Sequence, residues 1–121
     1  MNNILTKENI CILIYNARIT LRRVKYLNSY INKYATKSEE IIDLTGSNRG
    51  LAKYDRRLVR ILNSLIRMLD SDDNNISKII GKSDKIYEVV CVMNELEDRI
   101  ESLSHFSEKP RLSEKLRSEK F

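Results

Sequence analysis

The sequence predicts an all-α protein: a small bundle of three long amphipathic helices plus one short helix, with a charged C-terminal tail. Three observations carry that expectation. The 121 residues include only three Gly and one Pro, and neither residue type occurs between Met1 and Thr45, so a long stretch runs without a helix breaker. Apolar residues recur at alternating intervals of three and four, the spacing of one helix face. The glycines, Gly46, Gly50 and Gly81, fall between these periodic stretches, where short connections belong.

The first helix should run from about Lys7 to at least Thr36. Thr6 is a suitable N-cap, and Glu8 lies in the first turn where the helix dipole favours an acid. Ile10, Ile14, Ala17, Leu21, Val24, Ile31 and Ala35 repeat on a seven-residue period, with Asn28 on the same line. Beyond Thr36 two continuations are open: one helix to the stop at Gly46, or a separate short helix capped by Ser38. The run Ile10 to Tyr15 is apolar all round, which predicts burial by more than one neighbour; a strand is the alternative for those six residues.

The second helix spans roughly Leu51 to Leu69, with Leu51, Tyr54, Leu58, Ile61, Leu62, Leu65, Met68 and Leu69 as its buried stripe. The polar cluster 70–75 ends it. Ile76 to Ile80 should form one short helical turn closed by Gly81. A third long helix follows Ser83 as N-cap, repeats Ile86, Val89, Met93, Leu96, Ile100 and Leu103, and ends near Phe106. Residues 1–106 thus form one helical domain. Residues 107–121 carry Ser-Glu-Lys three times around Pro110 and read as a disordered tail or a marginal helix.

Composition excludes several classes. At 41% hydrophobic and 32% charged the chain is neither membrane-like nor disordered overall. The apolar run near the N-terminus is too short for a signal peptide or a membrane span, so the expected location is cytoplasmic or nuclear and not secreted. Cys11 and Cys91, each inside an apolar stretch, read as buried thiols of a reducing compartment.

Catalytic chemistry has little to stand on. Three glycines make no phosphate loop, and a zinc site needs three or four ligands at short paired spacings, which Cys11, Cys91 and His105 do not offer. Cys91 and His105 on one helix would lie about 21 Å apart. Acidic pairs such as Glu97 and Glu101 read as a solvated face. The expectation is a non-enzymatic protein without metal or cofactor.

The charge pattern says more. The net charge of +5 divides into +8 over residues 1–69 and −3 over residues 70–121. In the second helix Arg49, Lys53, Arg56, Arg60, Asn63 and Arg67 recur at four and three, on the side away from the leucines, with Arg57 at their edge and Asp55 the one acid. In the first helix Arg22, Arg23, Tyr26, Tyr30, Lys33 and Lys37 lie away from the apolar seam. Basic groups neutralise phosphates while tyrosine rings stack on bases or sugars. This predicts nucleic-acid binding, DNA or RNA, by backbone and shape through the two basic helices. The competing reading has the acidic third helix cover these charges, with Glu88, Glu95, Asp98 and Glu101 facing Arg56, Arg60 and Arg67.

Two further classes are open. Residues 76–90 resemble a helix-turn-helix: Ser77, Ile80 and Gly81 hold the positions of its small residue, apolar residue and turn glycine. The resemblance implies a DNA-binding regulator supported by the helix of 51–69, although Asp84 and Glu88 would repel phosphates. The other class is a protein-interaction adaptor or inhibitor, of the kind that viruses and mobile elements use as accessory proteins. It rests on the length of the first helix, whose seam (Ile14, Leu21, Val24, Asn28, Ile31) outruns a shorter partner and predicts a homodimer or higher homo-oligomer. Asn28 would fix the pairing register.

Overall fold

A computed structural model of the chain describes residues 3–73 and 75–103, with side chains from Thr6 onward. Four helices make up an all-helical bundle: α1 Asn3–Tyr34, α2 Ser38–Thr45, α3 Ala52–Asp70 and α4 Ile76–Ser102. The predicted end of the last helix near Phe106 and the 107–121 tail lie outside the described residues.

α1 begins at Asn3, earlier than the Thr6 cap predicts; Thr6 is a buried residue inside the helix. Ile10 to Tyr15 is helical throughout, which removes the strand alternative. Between the two continuations after Thr36, the chain takes the separate short helix. The last bond of α1 is Ala35 N–H to the Ile31 carbonyl at 2.8 Å, and Lys37 is extended. Lys37, not Ser38, occupies the cap position of α2 and offers no side-chain bond. Instead Glu40 reaches back to accept the Thr36 N–H at 3.0 Å, one residue before the cap. Gly46, at φ 75°, closes α2 with its N–H on the Ile42 carbonyl, a left-handed position that suits glycine.

α3 runs antiparallel to α1. Lys25 meets Asp55 at 3.3 Å near one end and Lys7 meets Asp72 near the other. The turn after α3 holds Asp72 at φ 56°, and Asp73 N–H bonds the Met68 carbonyl at 3.0 Å. This is a Schellman-type stop with aspartate where glycine is usual. The chain then reverses, so α4 lies parallel to α1, with Arg23 paired to Glu97. α2 sits at the far end against α4, where the Arg99 guanidinium donates to the Asp43 carbonyl at 3.0 Å.

Two expectations for 76–90 fail together. Residues 76–102 form one helix through Gly81, so there is neither a closed turn at 76–80 nor a helix-turn-helix. Asn75, not Ser83, is the N-cap: its side chain accepts the Lys78 N–H at 3.2 Å. Glycine inside a helix costs about 1 kcal/mol. The apolar stripe offsets that cost, because Ile79, Ile86, Met93 and Ile100 are spaced by seven across the glycine and all are buried.

The core joins α1, α3 and α4, with Ala17, Val24, Leu27 and Ile31 packed among Leu58, Leu65, Val89 and Met93, all nearly inaccessible. Leu27, Thr20 and Leu13 are buried beside the seven-residue repeat, because α1 has two long neighbours rather than one. The proposed oligomer seam is therefore interior to a single chain. Ile14, Val24 and Ile31 are buried, and Leu21 packs on the same core. Asn28 has an intramolecular partner as well: its Oδ1 accepts the Leu51 N–H at 2.9 Å. The length mismatch between α1 and α3 is made up by α4, which packs on α1 as well, and the basis for a homo-oligomer disappears.

Cys11 is exposed and Cys91 half-buried, which corrects the buried-thiol expectation for Cys11. An all-round apolar run on a helix with two neighbours still leaves one side open: Cys11, Ile12 and Tyr15 face water. Among the described residues no helix is long and apolar enough to cross a membrane.

Candidate nucleic-acid interface

The stripe on α3 forms as its spacing requires. Leu58, Ile61, Leu65 and Met68 are buried, and positions displaced by half a turn point to solvent. Lys53, Arg56, Arg57, Arg60, Asn63 and Arg67 are all exposed, as is Arg49 in the preceding turn. Lys53 to Arg67 spans about 21 Å of helix axis at the usual rise. Tyr54 steadies one end of the row: the Lys53 ammonium lies 5.0 Å from its ring centroid and the Arg57 guanidinium 5.9 Å, within cation–π range.

The acidic helix covers little of this row. Arg57 meets Glu88 at 3.5 Å, an exposed pair worth at most about 1 kcal/mol. Arg49, Lys53, Arg56, Arg60 and Arg67 have no ion pair among the described residues. Asp84, Glu88, Glu95 and Asp98 are exposed on the outer side of α4, away from the buried stripe that faces the core. Apart from the Arg57–Glu88 pair, the exposed acids of α4 do not neutralise the α3 row.

The α1 part of the expected site divides in two. Arg22 and Lys33 are exposed, and Lys33 lies 5.3 Å above the Tyr34 ring. Arg23, one position and 100° further round, turns inward to Glu97 at 2.8 Å, with side-chain exposures of 22% and 13%. The tyrosines meet one another at tilted angles: Tyr26 and Tyr30 centroids are 6.3 Å apart at 34°, Tyr30 and Tyr34 4.7 Å at 59°. Tyr30 is buried. Burial, followed by the neighbouring Tyr34, Tyr26 and Glu101, raises its phenol above the usual tyrosine range. Arg23 and Tyr30 are therefore removed from the candidate interface, and Tyr26 is half-buried at its margin.

Three cations lie outside the residues that the sequence pattern assigns to the interface, because a separate turn at 76–80 hides their helical spacing. Lys78, Lys82 and Lys85 are spaced four and three on the first turns of α4. That spacing is the signal that would have found them, since it is the rule that marks the α3 row. Lys78 pairs with Asp73 at 3.0 Å.

A second feature lies between the amino-terminal turns of α1 and α4. An open apolar groove of about 300 Å³ is lined mainly by Ile12, Leu13, Ile76, Ile79 and Ile80, with Ile12 57% and Ile80 55% exposed. Among the described residues no three His, Cys, Asp or Glu side chains gather as metal ligands would.

These features define a helical bundle with an exposed basic row along α3. No protein-family model matches the chain, nor does any curated protein or solved structure.

Proposed function

We propose that the protein binds nucleic acid through phosphate-backbone contacts, without catalysis, along the exposed basic face of α3. One observation supports this above the others: Arg49, Lys53, Arg56, Arg60 and Arg67 stand in a row, exposed and without acidic partners among the described residues. Unpaired like charges on a rigid rod repel one another, and a polyanion relieves that repulsion while releasing its own condensed counterions. Helix-borne guanidinium groups reach phosphate oxygens but carry little base discrimination, so shape and charge dominate over sequence. A cytoplasmic or nuclear setting accords with this reading.

The test is fluorescence anisotropy with a generic 20-base-pair duplex, as DNA and as RNA, over a salt series. Five phosphate contacts along α3 alone should lower affinity roughly 500-fold between 50 and 200 mM salt, with similar values for unrelated sequences. An absence of binding at 50 mM salt overturns the proposal. The relative affinities of the two duplexes identify the natural class.

The second reading, a protein-interaction module, is favoured by the groove at Ile12, Ile76 and Ile80. Its shape and apolar lining suit the hydrophobic edge of an amphipathic helix from a partner protein. Ile80→Ser should weaken such an interaction and, adding no charge, leave duplex affinity unchanged.

A further inference from the structure

We infer that the phosphate track does not cross from α3 to α1, as the sequence pattern indicates, but from α3 onto the amino-terminal turns of α4, where Lys82 and Lys85 join Arg67 as a seat for backbone phosphates. This rests on the nucleic-acid reading and fixes which flank of the bundle the duplex occupies.

Placement is the first support. Lys78, Lys82 and Lys85 share one side of α4, and Arg67 of α3 is close enough to act on the Lys82 charge, together with Lys78 and Lys85. The nearest ion pairs stand at the two ends of this cluster, Arg57 with Glu88 and Lys78 with Asp73. Between them Lys82, Lys85 and Arg67 have no carboxylate partner among the described residues.

Lys82 is the telling member. It is half-buried, and a lysine usually gains a carboxylate when it leaves water. Burial and the three neighbouring cations instead push its ammonium below the usual lysine range, as expected where like charges gather and no carboxylate stands beside them. Space is also present. Gly81 lies between Lys78 and Lys85 on α4, and a Cβ built there would meet nothing within 4 Å. On the α1 flank Arg23 is held by Glu97 and Lys25 by Asp55, while Arg22 and Lys33 are exposed and serve as the comparison in the test.

The experiment compares three double variants in the duplex anisotropy assay: Lys82→Gln with Lys85→Gln on α4, Arg22→Gln with Lys33→Gln on α1, and Arg56→Gln with Arg60→Gln on α3. The α4 pair should weaken binding about tenfold at 100 mM salt and reduce the salt slope by ~2, one per lost phosphate contact. The α1 pair should stay within twofold of wild type. Reductive methylation read by mass spectrometry gives a check on the unaltered protein: duplex should protect Lys82 and Lys85 and leave Lys33 reactive. If the α4 pair binds like wild type, or Lys33 is protected in place of Lys82, the α4 seat is wrong although α3 still binds. If wild type and all variants fail to bind at low salt, the nucleic-acid reading falls and this inference with it.

Discussion

Asn28 Oδ1 accepts the backbone N–H of Leu51 at 2.9 Å, joining the middle of α1 to the residue that opens α3. The amino-terminal N–H groups of a helix lack partners within it, and Leu51, at the cap position, carries no side-chain oxygen to help. Asn28 supplies an acceptor from across the bundle. Gly50 makes room for it: at φ 63°, a Cβ there would collide with the Asn28 amide oxygen.

Asn28→Ala should therefore destabilise the protein by about 1–2 kcal/mol, the loss of a cap-type hydrogen bond with a part-buried donor left behind. Gly50→Ala should cost at least as much, since it adds a collision to a left-handed backbone. Thermal denaturation measures both. Light scattering should give one unchanged mass for wild type and Asn28→Ala; a mass shift in the variant would restore Asn28 to an intermolecular role.

Gly81→Ala discriminates directly between a continuous α4 and a turn at residue 81. Inside a helix, with open space at the Cβ position, alanine should stabilise by up to about 1 kcal/mol. That raises Tm by up to about 4 °C for a domain of this size. A turn glycine replaced by alanine would lower Tm instead.

The periodic parts of the fold were legible because one rule governs them. Leu58, Ile61, Leu65 and Met68 lie on the side the spacing assigns, and Arg56, Arg60 and Arg67 on the opposite one. What remained hidden depended on tertiary neighbours. Asn28 sits on the apolar line whether it faces a second copy or the start of α3, and the pattern alone does not separate these. Arg22 and Arg23 look equivalent in sequence, yet only the second reaches α4. Gly81 carries the ordinary signature of a helix stop, and the seven-residue spacing of Ile79, Ile86 and Met93 across it is what overrides that signature. The lysines of α4 were obscured by the acidic total of the C-terminal half, because net charge averages over faces that the helix keeps apart.

Arg23 and Arg56 provide a separation of roles. Arg23 pairs with Glu97 in a poorly exposed setting, so Arg23→Gln should cost about 1.5–3 kcal/mol of stability and change duplex affinity by less than twofold. Arg56 is exposed and unpaired among the described residues, so Arg56→Gln should leave Tm within about 2 °C while weakening binding several-fold. Denaturation and anisotropy on the same two samples decide it. Equal effects of both substitutions on binding would return Arg23 to the interface.

Tyr30 predicts an alkaline weakness. Its phenol titrates above the ordinary 10.0 in the folded chain, chiefly because of burial, and then because of Tyr34, Tyr26 and Glu101. Above pH 10 the unfolded chain loses this proton while the folded chain retains it. The unfolded state then binds fewer protons, and stability falls as pH rises. The contribution is fully present below the unfolded value and is lost towards the raised folded one. Tyr30→Phe should flatten the fall of Tm above pH 10; an unchanged alkaline limb would show that Tyr30 does not carry it.

Lys82 predicts the opposite slope. Burial first, then Lys85, Lys78 and Arg67, lower its ammonium below the ordinary 10.5. Between the lowered folded value and 10.5 the unfolded chain binds more protons, so this group favours folding increasingly as pH rises through that window. Below the window the charged ammonium opposes folding by a constant amount. At pH 7 Lys82→Gln should accordingly raise Tm although it removes a cation, and the same substitution should weaken duplex binding. A duplex that supplies the missing counter-charge should reverse the order, stabilising wild type more than the variant in a thermal shift. A structural lysine would give the contrary pair of results: a lower Tm on substitution, and equal stabilisation of both proteins by duplex.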